Sequence, residues 1–376
     1  MKRFVLLLMC FVLSFMLACE RENRFISRTG PREINIGVIL PLTGELSGVG
    51  QKVKKGIALA ADEINMIGGV DGSRIRLLFF DDKGYTDESA RGAEKFLMLG
   101  DVTVLIGSVS NESTISIASI TSKVRMPMMA PVASQVGITN IGPYTFRNSL
   151  TDHDQARNIA EYAFTMKSFR TFAVVYPNTQ QGMVLNKIFT QRIQEIGGKV
   201  IANEQYSTPI MDFSALVSKL KVIEPQTIYF AGSFNEAVAI AREANQQNLD
   251  VVFLGTSEWG NGDIIESGGI YMNGAIFTSS FYKDSTDPLS VNFVKRFEMN
   301  FREDPDGFAA QGYDALRVIV QAMFVGGKTR EGIREGLLKI ENFPGVTGRM
   351  SFKANGDVTK EVVILGVYNG QIVQLQ

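Results

Sequence analysis

The chain has 376 residues, with 38 lysines and arginines against 39 aspartates and glutamates and a single histidine. This balanced charge excludes the strongly basic class of protein that binds nucleic acid through its overall charge. The two cysteines stand at positions 10 and 19, so the rest of the chain cannot form a disulfide, and the length predicts two domains.

The N-terminus has the layout of a secretory signal. The basic pair Lys2-Arg3 precedes an apolar run over 4–17. That run is shorter than the about 20 residues that a membrane-spanning helix needs. It ends in Met16-Leu17-Ala18-Cys19, which resembles the bacterial lipobox, in which the cysteine becomes the acylated N-terminus.

These features predict a lipoprotein signal peptide over 1–18, lipidation at Cys19 and a polar linker over 19–32. The chain is therefore expected to be exported to the periplasm or the cell surface and held at a membrane by its lipid anchor. The alternative is an ordinary signal peptide with an incidental cysteine.

From Ile34 onward, short apolar runs alternate with longer amphipathic ones, which is the pattern of parallel strands covered by helices. The predicted strands cover 34–40, 75–80, 102–106, 126–129, 172–175, 199–206, 227–230, 251–254 and 274–278. Most of them are followed by a predicted helix. Two such series, before and after about Thr151, each indicate a doubly wound sheet, so the fold class is α/β.

Capping signals mark the ends of the earlier helices. Gly68-Gly69 ends the helix predicted over 53–65, and Asp152 is predicted to cap the helix over 155–166. The last part of the chain breaks the alternation, with predicted helices over 288–301, 308–324 and 330–340 and predicted strands over 349–352, 361–368 and 371–376. We expect these tail strands to form antiparallel hairpins with a turn at 353–357.

The sequence offers little that an enzyme would need. His153, the only histidine, stands at a polar helix start, where an exposed residue without a catalytic role is favoured. There is no glycine-rich phosphate loop, and neither a metal site nor an organic cofactor is predicted. The pairs Asp81-Asp82 and Asp62-Glu63 are expected to be solvated charges; an enzyme that acts through carboxylates stays the remote alternative.

A series of short motifs carries a resemblance to a known family. They are Ile36-Gly37-Val38-Ile39-Leu40-Pro41-Leu42-Thr43-Gly44, Gly56 to Asn65, Phe80-Asp81-Asp82, Ile106 to Ser110, Phe146-Arg147-Asn148-Ser149 and Gln311-Gly312-Tyr313-Asp314-Ala315. In this order and spacing they resemble the periplasmic leucine/isoleucine/valine-binding family of ABC-transport receptors. The resemblance implies two doubly wound Rossmann-like lobes of the periplasmic-binding-protein-like I fold, joined by a three-strand hinge.

On this resemblance, we expect the first lobe to cover 33–147 and 279–344, and the second to cover 148–278 and 345–376. The implied function is that of a monomeric solute-binding protein, which closes around a small amino-acid-like or carboxylate ligand and presents it to an ABC permease. The alternative is a ligand-sensing module with a separate output partner, because one fold can serve several functions.

Two loops are candidates for holding a ligand carboxylate. The loop 107–114 enters a helix and presents free backbone N–H groups, to which Ser110 and Asn111 could add donors. Asn111 stands where the family has a ligand serine. The loop Val132-Ala133-Ser134 matches the family segment that grips the carboxylate and the ammonium of an amino acid. For the serines, plain helix capping is the alternative.

At the other ligand-contact positions of the family, this sequence has different residues. Positions where relatives often have tyrosine hold Val49, Gln181, Ser233 and Phe308. The acidic partner of the ligand ammonium should fall on Ser257, but the carboxylate stands one place later, at Glu258. If the loop shifts by one residue, Glu258 pairs the ammonium; otherwise the ligand lacks an amine. Trp259 either covers the ligand or packs within its lobe.

Overall fold

The computed structural model describes residues 33–208, 212–260 and 264–375. The predicted signal peptide, the lipidation site Cys19 and the polar linker lie outside these ranges. Within them the chain forms two α/β lobes, as expected for the fold class, each built on a parallel sheet. No helix in the described ranges has both the length and the apolar character required to cross a bilayer.

The first lobe begins with five strands and three α-helices. Its elements are β1 (Glu33–Leu40), α1 (Ser47–Met66), β2 (Arg74–Asp81), α2 (Thr86–Leu99), β3 (Val102–Gly107), α3 (Asn111–Lys123), β4 (Met128–Ala130) and β5 (Thr145–Arg147). The five strands are parallel in the order β2-β1-β3-β4-β5. Helices cover both faces of this sheet, which is why its strands read as nearly continuous apolar runs.

The second lobe repeats this arrangement. Its elements are α4 (Asp152–Thr165), β6 (Thr171–Pro177), α5 (Gln180–Glu195), β7 (Lys199–Tyr206), α6 (Ser214–Ile223), β8 (Thr227–Phe230), α7 (Phe234–Gln246), β9 (Val252–Gly255), α8 (Ile264–Gly268) and β10 (Ile276–Ser279). Its parallel strands lie in the order β7-β6-β8-β9-β10, the same doubly wound order as in the first lobe.

The chain then returns to the first lobe. The helices α9 (Pro288–Phe301), α10 (Gly307–Gly326) and α11 (Arg330–Leu338) pack into the core that β1 and α1 share. Gly56 and Gly312 let α1 and α10 cross with their backbones in contact. A Cβ atom at Gly56 would lie 1.9 Å from the carbonyl oxygen of Ala309, and one at Gly312 would lie 2.4 Å from that of Val53.

The tail strands divide between the two lobes. The strands β11 (Phe343–Gly345), β12 (Gly348–Phe352) and β13 (Val358–Lys360) form a small antiparallel sheet, whereas β14 (Val363–Tyr368) and β15 (Gln371–Gln374) extend the second sheet beside β10. The small sheet packs into the core of the first lobe.

The expectation that the second lobe resumes at residue 345 is therefore wrong. Asp314 on α10 holds this segment to the first lobe, because its carboxylate accepts the backbone N–H groups of Val346 and Thr347 at 3.1 and 2.9 Å. Met350 and Phe352 add buried apolar contacts. The last crossing between lobes lies between β13 and β14.

One predicted cap is also wrong. Thr151, not Asp152, caps α4: its hydroxyl accepts the N–H of Asp154 at 2.9 Å, and the Asp154 carboxylate accepts the backbone N–H of Thr151 at 3.4 Å. Asp152 is instead the first helical residue, and its side chain is free to face elsewhere. The strands β5, β11 and β13 were not predicted, because three residues are too few to show the alternation of apolar and polar residues that marks a strand.

Candidate functional site

A cavity of about 560 Å³ lies between the two lobes. The first lobe lines it with residues that follow β1, β3, β4 and β5, and the second with residues that follow β6, β8, β9 and β10. The carboxyl ends of both parallel sheets thus face one space. Ligands of doubly wound sheets bind at this end of the strands, and the volume suits a small molecule.

Most of the predicted site residues line this cavity. They are Ser110, Asn111, Val132, Ala133, Ser134, Gln181, Ser257, Glu258 and Phe308. Ser233 does not line it. Its hydroxyl caps α7 by accepting the backbone N–H of Glu236 at 3.5 Å, and it donates to the Glu236 carboxylate at 2.7 Å. Its neighbour Phe234 reaches the cavity instead.

Ser110 and Asn111 form one corner of the cavity at the start of α3. Ser110 caps the helix by accepting the N–H of Ser113 at 3.2 Å. Asn111 Oδ1 accepts the backbone N–H groups of Ser134 and Gln135, both at 3.1 Å, and so ties the two predicted loops together. The Asn111 Nδ2 group and the first helical N–H groups remain as donors, which makes this corner suited to a carboxylate.

Gln181, Asp152 and Ser134 connect the lobes beside the cavity. Gln181 Nε2 donates to Ser134 Oγ and to Asp152 Oδ1, both at 3.2 Å, and the Asp152 N–H donates to the Ser134 carbonyl oxygen at 2.9 Å. Asp152 is 1% exposed, and its Oδ2 has no hydrogen-bond partner in the described part of the chain. Burial raises the pKa of Asp152, while the nearby Ser134 and Gln181 side chains and the charge of Arg147 oppose this rise.

Glu258 and Ser257 both line the cavity, on a short 3₁₀ segment after β9. The Ser257 N–H donates to Gln155 Oε1 at 2.9 Å, which positions this segment against α4. Glu258 is exposed and is one of the residues that line the cavity. Desolvation inside the cleft raises the pKa of Glu258 to about 7, and the carboxylates of Asp152 and Glu236 contribute to the rise.

The charged residues that line the cavity, within the described ranges, are all acidic: Glu112, Asp152 and Glu258. A ligand with a positively charged group would therefore gain attraction at this site, whereas an additional negative charge would be repelled. Among the residues that the structure describes, no cluster of histidine, cysteine and acidic side chains could hold a metal ion.

Trp259 packs within the second lobe and does not line the cavity. It is 1% exposed and lies beside Phe277, with 6.4 Å between the ring centroids. Gly255 makes room for it, because a Cβ atom there would lie 2.2 Å from the indole ring. Of the two alternatives for Trp259, lobe packing is the one observed.

The carboxylates of Asp81 and Asp82 accept hydrogen bonds from other residues of the first lobe. Asp81 accepts the backbone N–H of Leu42 at 2.8 Å. Asp82 is fully buried and accepts hydroxyl hydrogens from Ser89 and Ser108, both at 2.7 Å. The prediction that this pair is solvated is wrong for Asp82, whose carboxylate is occupied by structural hydrogen bonds.

Asp152, Gln155 and Gln311 are among the polar residues of the cavity that the sequence analysis did not assign to the site. Asp152 and Gln155 stand three residues apart on the first turn of a helix that follows a strand, so they share a helix face, and this spacing was the available signal. Gln311 Nε2 donates to Ser280 Oγ at 3.1 Å, while its Oε1 has no partner among the described residues. Gln311 belongs to one of the motifs that carry the family resemblance, but no role was assigned to it, and it lies on α10, far along the chain from the other two.

The sequence is similar to curated proteins along most of its length. It is 26% identical over 332 residues to Leu/Ile/Val-binding protein homolog 3 of Brucella melitensis, which covers 87% of this chain and 89% of the relative. It is 27% identical over 327 residues to the leucine-, isoleucine-, valine-, threonine- and alanine-binding protein of Pseudomonas aeruginosa, which covers 86% of this chain and 87% of the relative.

Solved structures show the same fold. A leucine-binding protein of Thermotoga maritima matches with a TM-score of 0.82 and 28% identity, over 91% of this chain and 98% of its own. A substrate-binding protein of Streptococcus pneumoniae in complex with isoleucine matches with a TM-score of 0.82 and 26% identity, over 91% and 100%. A Rhodopseudomonas palustris protein in complex with benzoate, with a TM-score of 0.79 and 20% identity over 91% and 95%, shows the fold alone.

These likenesses confirm the resemblance seen in the motifs. The family model described as periplasmic binding protein matches residues 33–371. The chain therefore belongs to the periplasmic binding protein family and is a solute-binding protein rather than an enzyme.

Proposed function

We propose that this protein is the solute-binding receptor of an ABC importer and that it binds a small amino acid or a related carboxylate. The observation that carries the proposal is the cavity of about 560 Å³, to which the carboxyl ends of both sheets contribute polar groups. The names of the relatives support the ligand class, because those proteins are described as binding leucine, isoleucine and valine.

In this proposal the ligand lies across both walls of the cavity. Its carboxylate binds at the start of α3, where Asn111 Nδ2 and the free helical N–H groups are donors. Its ammonium binds on the second lobe at Glu258. Val132, Phe234 and Phe308 supply the apolar contacts for a side chain.

Ligand binding would close the two lobes around a hinge. Three segments join the lobes: 148–151, 280–287 and 361–362. A ligand that contacts both walls binds the closed form more tightly than the open one, and this difference in affinity shifts the population towards closure. A membrane permease would then recognise the closed form.

The proposal includes export, anchoring by a lipid on Cys19 and a monomeric receptor. These parts rest on the sequence of residues 1–32 and on the family. Mass spectrometry of the membrane fraction tests the anchor, since Cys19→Ser should abolish acylation. Light scattering of the purified protein tests the monomer.

A thermal-shift screen tests the ligand class. The purified protein is heated with amino acids, small carboxylates, amides and polyols, each at high concentration. A ligand at about 100 times its dissociation constant should stabilise the fold by roughly 2.7 kcal/mol. The proposal fails if no amino acid or carboxylate raises the melting temperature. Unchanged uptake of an identified ligand in cells that lack the protein would favour the sensing alternative.

A further inference from the structure

The amino ends of the strands in the first sheet lie at the end of the first lobe opposite the cavity, because their carboxyl ends face the cavity. Several distant turns of the chain meet there. Lys328 Nζ, after α10, lies 3.3 Å from Asp71 Oδ2, before β2. Arg330 Nη2 donates to the carbonyl oxygen of Val102, at the start of β3, at 3.2 Å. The basal end of the first lobe is defined as residues 33–35, 65–76, 98–102, 122–125, 140–145 and 324–335.

Apolar side chains are exposed where three helices end at the basal end. Each helix contributes an adjacent pair, and each of these side chains is between 44 and 86% exposed. The pairs are Met66 and Ile67 after α1, Met98 and Leu99 after α2, and Phe324 and Val325 after α10. Exposed apolar residues that are scattered singly need no explanation, but a group at one end of a lobe indicates a surface that binds a partner.

Basic residues outnumber acidic ones at the basal end. Its seven basic residues are Arg74, Arg76, Lys123, Arg125, Lys328, Arg330 and Arg334, and its five acidic ones are Glu33, Asp71, Asp101, Glu331 and Glu335. The whole chain has 38 basic against 39 acidic residues, so this end is positive although the protein is not. Exposed apolar side chains beside an excess of basic groups fit the surface of a bilayer that contains anionic lipid.

The chain enters the first lobe at the basal end, coming from the predicted lipid anchor. The strand β1 begins at Glu33, 14 positions after Cys19, so the chain between them spans at most about 50 Å. A short linker holds a tethered surface near its target at an effective concentration on the order of millimolar. Even a weak attraction for lipid would therefore keep the basal end on the membrane. The amino end of the second sheet lies at the other end of the molecule.

We propose that the basal end of the first lobe docks on the anionic lipid surface of the membrane that holds the predicted anchor. The three apolar pairs insert among the lipid head groups, and the basic residues face the lipid phosphates. The cavity, at the opposite edge of the sheet, is then held away from the bilayer. The inference rests on the proposed function, because it requires the lipid on Cys19 that the proposed function includes.

The oxidation of native methionines tests the docking. The mature acylated protein is placed in vesicles of phosphatidylcholine and phosphatidylglycerol at few copies per vesicle, exposed to brief hydroxyl-radical pulses, and analysed by mass spectrometry. Met66 and Met98 of the basal end are 72 and 85% exposed, and Met166, at the amino end of the second sheet, is a matched control at 67%. Met66 and Met98 should be oxidised at least roughly fivefold more slowly than Met166, which corresponds to docking for about four fifths of the time.

Ile67→Glu tests the apolar contact with lipid. The new carboxylate is repelled by anionic head groups, so Met98, on a different helix, should be oxidised at a rate within about twofold of that of Met166. Ile270→Glu is the matched control, because Ile270 is also largely exposed but lies in the second lobe, and it should keep the wild-type protection of Met98. Both substitutions change exposed side chains, so both variants should fold.

Two results would overturn the inference while leaving the receptor function intact. One is a wild type in which Met66 and Met98 are oxidised within about twofold of the rate of Met166. The other is protection that increases with the number of copies per vesicle, which would assign the basal end to contact between copies of the protein. If Cys19 carries no lipid, the anchoring part of the proposed function fails and the inference fails with it. The thermal-shift screen for ligands is independent of these outcomes.

Discussion

Arg147 donates to a single carboxylate oxygen of Asp357 through Nη2 at 2.6 Å and through Nε at 2.9 Å. Its Nη1 donates to the carbonyl oxygen of Gln135 at 2.7 Å. The Arg147 side chain is fully buried, and that of Asp357 is 17% exposed. This pair fastens the turn before β13 to the edge strand β5 of the first lobe, immediately before the chain crosses to the second.

Arg147→Met should lower the free energy of unfolding by roughly 3 kcal/mol, because removal of one partner from a buried ion pair leaves the other charge uncompensated. Urea unfolding followed by circular dichroism measures the loss. Arg91→Met is the control: its pair with Asp87 is exposed, so the loss should stay below about 1 kcal/mol. Equal losses in the two variants would contradict the structural role of Arg147.

Gly312→Ala should lower the free energy of unfolding by roughly 1–3 kcal/mol, because the added methyl group must push α10 away from α1. The Cβ atom would lie 2.4 Å from the carbonyl oxygen of Val53. Gly48→Ala is the matched control in α1, where no atom lies within 4 Å of the added methyl group. It should be neutral or stabilising by up to about 1 kcal/mol, since alanine favours a helix. Destabilisation of the same size in both would refute the close helix crossing.

Asn111→Asp tests the corner assigned to the ligand carboxylate. One oxygen of the new side chain can still accept the N–H groups of Ser134 and Gln135, but the other replaces the Nδ2 donor and repels a carboxylate. Affinity for the identified ligand should fall at least roughly tenfold, with the melting temperature nearly unchanged. Titration calorimetry measures the loss. Asn292→Asp, on the exposed face of α9, should bind the ligand like the wild type. An equal loss of affinity in Asn292→Asp would contradict the assignment of the Asn111 corner to the ligand carboxylate.

The binding of an amine ligand should depend on pH through Glu258. Only the ionised carboxylate pairs with an ammonium group, and the pKa of Glu258 in the free protein is about 7. Affinity should therefore be nearly constant above pH 8 and fall as the pH drops through 7, by up to about tenfold per pH unit. Calorimetry at a series of pH values from about 5.5 to about 8.5 measures how the affinity changes with pH. Glu258→Gln should bind weakly and without this dependence; an unchanged slope in that variant would assign the titration to another group.

The same residue should make the empty protein less stable at higher pH. The folded-state pKa of Glu258 is raised from 4.5 to about 7, so the folded state binds more protons than the unfolded state between these values. Stability from this group therefore falls as the pH rises through that window and stays low above it. Without ligand, Glu258→Gln should melt at a higher temperature than the wild type at about pH 8, with little difference at about pH 4. A lower melting temperature of Glu258→Gln at about pH 8 would contradict the unfavourable desolvation of this charge.

The sequence by itself determined most elements of secondary structure. The strand Lys199–Tyr206 and the helix Pro288–Phe301 have the predicted bounds. The helix α1 ends at Met66, just before Gly68-Gly69, where both glycines adopt positive φ angles. These features depend on contacts within a few residues, or on an average burial that a period of 2 or 3.6 records. The order of the motifs was also sufficient to identify the family before any contact was known.

Only the tertiary structure decided which lobe holds β12 and which side chain forms a hydrogen bond with Ser134. Alternating apolar residues predict a strand but do not name its sheet; the contacts of Asp314 with the segment 346–347, more than thirty residues away, assign it to the first lobe. The hydrogen bond that Gln181 donates to Ser134 likewise joins residues 47 positions apart in the sequence. A local pattern records whether a side chain is buried, whereas the direction of a hydrogen bond depends on the partner that folding brings to it.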